Sequence, residues 1–123
     1  MIEILEDYPA AVLAISAHER VTGEDYRDVL TPAVEEKFQQ LDKLRLLYHL
    51  GPDFKRFTTT ALWDDARLGF HHLHDFERIA VVTDVEWLRK LARSANAALP
   101  AEIREFSNTD LPQASQWIKD GLD

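Results

Sequence analysis

The sequence predicts an α/β fold with a mostly parallel central sheet, in the order β-β-α-β-α-β-α-β-α. Two short apolar runs, Lys43-Leu-Arg-Leu-Leu-Tyr-His-Leu50 and Arg78-Ile-Ala-Val-Val-Thr83, are each followed at once by a segment of helical period. Parallel neighbours cannot be joined by a tight turn, so strands alternating with helices of about four turns are what a parallel sheet requires. No repeat, linker or low-complexity stretch divides the 123 residues, so a single domain over 1–123 is expected.

Residues 2–6 and 12–17 are apolar segments separated by Asp7-Tyr8-Pro9-Ala10, which reads as a turn between two opening strands. At Thr22-Gly-Glu-Asp25 a threonine can cap a first helical turn, and Asp25 suits the positive end of the helix dipole. Tyr26, Val29, Leu30, Ala33, Val34, Phe38 and Leu41 keep helical spacing in the helix that follows. Pro32 predicts a kink near 28–32 or two helical pieces, because proline removes one backbone bond. A strand over 44–50 ends at Gly51-Pro52-Asp53, and a loop to Phe57 leads to Thr58-Thr59-Thr60, any of which can cap the second helix.

That helix is expected to reach His74, with Leu62, Ala66, Gly69, Phe70 and Leu73 inward and Asp64, Asp65, Arg67 and His71 or His72 turned away. A buried strand over 79–82 follows. Thr83-Asp84 then caps a third helix carrying Val85, Leu88, Leu91, Ala92 and Ala95 on its inner face, and Pro100 closes the unit. A last strand over 102–106 precedes Asn108-Thr109-Asp110 and a terminal helix striped by Leu111, Ala114, Ile118 and Leu122. Crossovers should be right-handed. Strand order is not readable.

Composition narrows the functional classes. The formal net charge of −8 repels polyanions over about 8 Å at physiological salt, so nucleic acid is not an expected partner. With no cysteine there are no disulfides, thiolate nucleophiles or cysteine-based metal sites. The first residues lack a basic region followed by an apolar run, and no apolar stretch is long enough to span a bilayer, which predicts a cytoplasmic chain with at most peripheral membrane contact.

Four phrases resemble the STAS domains of anti-sigma factor antagonists, and more closely their SpoIIAA-like group. They are His18-Glu-Arg-Val-Thr-Gly-Glu-Asp-Tyr26, Leu46-Leu-Tyr-His-Leu-Gly51, Leu62-Trp-Asp-Asp-Ala-Arg-Leu-Gly69 and Asp75-Phe-Glu-Arg-Ile-Ala-Val-Val-Thr-Asp84, the last with Glu86-Trp87. The resemblance covers nearly the whole chain. It implies a non-enzymatic domain, likened to CRAL-TRIO lipid-transfer domains, that binds apolar ligands or associates peripherally with membranes. The alternative it implies is a protein-interaction module with a regulatory partner. Anti-sigma antagonists carry a phosphorylated serine in an Asp-Ser-Ser-Gly motif at the second helix start, where this chain has Phe57-Thr58-Thr59-Thr60-Ala61, hydroxyls without the motif.

The candidate site is aromatic. Phe54, Phe57, Trp63 and Trp87 lie near the starts of two helices, so they are expected to gather at the carboxyl ends of the strands, where open α/β folds place ligands. Lys55 and Arg56 between the two phenylalanines add local positive charge suited to lipid headgroups. Thr58, Thr59 and Thr60 are helix-capping residues or, alternatively, phosphate acceptors at a helix start. Asp64 and Asp65 point about 100° apart and are expected to be solvated rather than paired. His71, His72, His74 and Asp75 are dense in metal-ligand types, but zinc needs three or four convergent ligands and His72 is expected to point elsewhere, so no metal and no other cofactor is predicted. No catalytic residue is nominated, for no nucleophile turn or phosphate loop is present.

Overall fold

The computed structural model describes residues 1–122, with every side chain but that of Phe70, whose inward placement therefore lies outside the described residues. Strands β1 (Ile2–Leu5), β2 (Val12–Val21), β3 (Leu44–Phe57), β4 (Phe76–Thr83) and β5 (Glu102–Phe106) form one sheet in sequential order. β1 runs antiparallel to β2 and the other pairs are parallel. Between and after the strands come helix α1 (23–38), α2 (Thr59–His71), α3 (Glu86–Ala98) and α4 (Leu111–Lys119). The order is the one the sequence predicts.

Sequential order decides where the helices go. Right-handed crossovers that always step in one direction put α1, α2 and α3 on the same face, and α4, which follows the last strand, closes the other. Alternation along the strands matches both. Leu13, Ile15, Ala17, Leu46, Tyr48, Leu50 and Ile103 pack with Tyr26, Leu30 and Val34 of α1 and Leu88 and Ala92 of α3. Val12, Ala14, Leu47, Ala80 and Val82 pack with Ala114 and Ile118 of α4.

Helix α1 begins at a reciprocal cap. The Asp25 amide donates to the Thr22 hydroxyl at 3.2 Å, and the Thr22 amide donates to the Asp25 carboxylate at 2.7 Å. The expected interruption at Pro32 takes the form of one π turn, Tyr26–Leu30, before the chain resumes α geometry over Thr31–Phe38 with Pro32 in the new first turn. There a missing amide hydrogen costs least.

Several boundaries differ from the sequence reading. Strand β3 does not end at Leu50 but runs through Gly51-Pro52-Asp53 to Phe57, alongside a β2 that extends to Val21. β4 stops opposite Leu50, at Thr83, so beyond that point β3 has a neighbour on one side only, where proline is tolerated. The pairing absorbs register shifts around Glu19, whose φ is 54°. Helix α2 ends at His71 rather than His74, and Val85, not Thr83 or Asp84, is the residue before α3, although the Thr83 hydroxyl accepts from the Val85 amide at 3.1 Å.

The run that reads as an apolar strand also holds Arg45, which is buried. Its Nε donates to Glu77 at 2.5 Å, while one terminal nitrogen donates to the carbonyls of Ile118 and Asp120 at 3.0 and 2.7 Å. The end of α4 is thereby fastened to the sheet through carbonyls that have no helical partner.

Candidate functional site

Helix α2 is the element that fails to close the fold. Ala61 is buried, but Leu62, Trp63, Asp65, Ala66 and Gly69 all keep exposed surface. Helix α3 has an apolar stripe wider than the sheet can cover, so Leu88 and Ala92 are buried while Trp87 and Leu91 are left open toward α2. A cavity of about 250 Å³ results. Its floor is Leu46, Tyr48, Val81 and Ile103, and α1, α2 and α3 supply its sides. It runs the length of the strands, from Phe57 and Trp87 at their carboxyl ends to Phe76 and Ala101 at their amino ends.

The four expected aromatics separate into different roles. Phe57 and Trp87 line the cavity and meet edge to face with centroids 6.3 Å apart. Phe54 touches Phe57 at 5.0 Å but is buried in the core behind it. Trp63 is 68 % exposed and outside the lining, because it sits on the outer side of α2. Lys55 and Arg56 belong to the strand rather than a loop and are exposed, Lys55 facing Glu19 at 3.2 Å. Thr58 caps α2 by accepting from the Ala61 amide at 3.2 Å, its hydroxyl 3.1 Å from that of Thr60, while Thr59 and Thr60 are exposed.

Of the residues expected to face inward, Leu62, Gly69 and, just past the helix, Leu73 line the cavity, whereas Ala66 is exposed and Asp65, Leu68 and His72 join the lining. Asp65, expected to be solvated, accepts a hydrogen bond from the Tyr26 hydroxyl at 2.7 Å, and the Tyr48 hydroxyl lies 3.2 Å from that of Tyr26. Asp65 lines the cavity and keeps exposed surface. Desolvation by the surrounding protein raises its pKa, against the lowering effect of the bond from Tyr26, and burial raises both tyrosines. Apolar periodicity could not find this polar spot, since its signal is the pairing of residues 39 apart in sequence.

At the far end of α2, His72 is buried rather than turned away. Its Nε2 lies 2.6 Å from Glu35 and its Nδ1 3.0 Å from Asp75, with Phe38 stacked on the ring at 4.3 Å. Glu35, His71 and His72 bring ligand atoms within 4.8 Å of one another, yet both nitrogens of His72 already face carboxylates. Burial by itself would lower the His72 pKa, but the bonds to Glu35 and Asp75 outweigh it and raise it above the ordinary value.

A histidine whose folded pKa is raised contributes stability that is complete below its unfolded pKa of about 6.5 and disappears as pH rises through the folded value. The gap in unfolding free energy between the parent and His72→Gln is therefore expected to be largest near pH 6 and to shrink toward pH 9. His18, raised mainly by its 2.6 Å bond to Asp53, and His49, lowered by burial, are common to both proteins and cancel in the difference. A gap that stays constant in urea titrations across this range would rule out the charged latch.

The family description SpoIIAA-like matches residues 12–119, and the chain belongs to that family. A crystal structure of an uncharacterized protein of the DUF3478 family with a SpoIIAA-like fold, from Shewanella loihica PV-4, is similar with a TM-score of 0.77 and 28 % identity. The likeness covers 96 % of this chain and 92 % of that one. No curated protein matches the chain. The expected STAS-like, SpoIIAA-like α/β fold is thus shown. No helix among the described residues is long and apolar enough to cross a membrane.

Proposed function

We propose that this domain holds one small apolar or amphiphilic molecule between α2 and α3, without transforming it, and meets membranes peripherally to exchange it. The observation that carries the reading is the cavity itself, about 250 Å³ of mostly apolar space over the sheet in a chain otherwise packed on both faces. A dry cavity of about 150 Å³ takes benzene, so this one suits one or two rings or a medium alkyl chain. Leu62, Trp87, Leu91 and Leu99 belong to the lining yet remain 41–56 % exposed, which gives a ligand a greasy path inward. Lys55 and Arg56 stand on the strand that ends at Phe57, a local positive charge for headgroups on an acidic protein.

Binding would act by population shift. α2 is held at its start by Gly23, where an added Cβ would lie 3.0 Å from Thr60 and Asp64, and at its end by His72. Between those ends few of its described residues are buried, so its middle can lift and settle over a ligand whose burial contributes about 25 cal/mol per Å². Native mass spectrometry of protein purified without detergent is expected to show an adduct of the mass of one small apolar or amphiphilic molecule that organic extraction removes. A spectrum that stays bare even with excess octanol, or that holds a regulatory protein instead, would contradict the proposal.

A further inference from the structure

We infer that the molecule in this cavity carries a positively charged, hydrogen-bond-donating amine head seated at Asp65, with its apolar body lying over β3, β4 and β5. This rests on the cavity being the binding site. Hydrogen-bond bookkeeping at the three polar groups supplies the direction. The Tyr26 proton is committed to the Asp65 carboxylate, so the Tyr26–Tyr48 contact must be donated by Tyr48. Both hydroxyl protons are then used. What the trio still offers is acceptor capacity alone, from the free carboxylate oxygen and the lone pairs of Tyr48.

Among the described residues no cation reaches this carboxylate, because Arg27 and Arg67 pair with its neighbour Asp64, at 3.8 and 3.6 Å. A carboxylate set in an apolar lining without a positive partner favours an ammonium group, which forms a charge-assisted bond and satisfies the vacant acceptors. A fatty-acid head would do the reverse, placing a second carboxylate beside the first. The net charge of −8 favours the approach of cations and opposes that of anions. The upward push that burial gives the Asp65 pKa is the same shortage of partners, so occupation by an amine should bring that pKa down.

Octylamine, octanol and octanoate share one chain and differ only in the head, so titrating each calorimetrically at neutral pH isolates it. Octylamine is expected to bind at least about tenfold more tightly than octanoate, with octanol between them. Asp65→Asn, which keeps the shape and the Tyr26 bond, should reduce octylamine affinity about tenfold and octanol affinity no more than about twofold. A general attraction of cations to the acidic surface would survive that substitution, and its survival would overturn the inference. Equal binding of all three probes would overturn it while leaving the cavity as the ligand site, whereas no binding of any would remove both.

Discussion

Val81→Trp is expected to reduce octanol affinity roughly a hundredfold, about 2.7 kcal/mol, without lowering the melting temperature. Val81 stands on the cavity floor and is only partly covered, so an indole there grows into vacant space. Filling space that is already open avoids the strain of overpacking a closed core. The neighbouring residue is the control. Val82 is fully buried against the α4 side, where the same substitution should prevent stable folding. Octanol binding that is unaltered by Val81→Trp would mean that the ligand sits elsewhere.

Tyr26→Ala is expected to cost about 3–5 kcal/mol in urea unfolding, a large part of the 5–15 kcal/mol that a domain has. Tyr26 is fully buried in the π turn of α1, and its hydroxyl is the only bridge between the Tyr48 hydroxyl on the sheet and the Asp65 carboxylate on α2 among the described residues. Tyr26→Phe separates packing from bonding. It should cost about 1–2 kcal/mol, because Asp65 and the buried Tyr48 each lose a partner. A cost under about 1 kcal/mol for the alanine variant would show that the ring is not the buried strut of the α1–sheet contact.

Fold legibility followed the strength of local signals. The runs at 44–50 and 79–82 and the Thr22 cap were readable because burial and capping act over a few residues. The continuation of β3 through Pro52 was not, because only the early end of β4 makes that stretch an edge. In the site, Phe57 and Trp87 were legible as aromatics at helix starts. Trp63 was placed with them because it too stands near a helix start, although it lies outside the lining, and Asp65 was missed because a polar residue beside an apolar stripe reads as turned to solvent. Beside its apolar residues the helix also turns a carboxylate in, where the Tyr26 hydroxyl donates a hydrogen bond to it, and it leaves an indole out. A pattern read along one helix cannot see a partner on another.

The most direct test is a methyl NMR titration with octanol. Saturable shifts are expected at the methyls of Leu46, Val81, Leu88, Leu91 and Ala92, with Ala80, Val82 and Ala114 on the opposite face unmoved. Shifts confined to exterior methyls, or none that saturate, would contradict a ligand between α2 and α3.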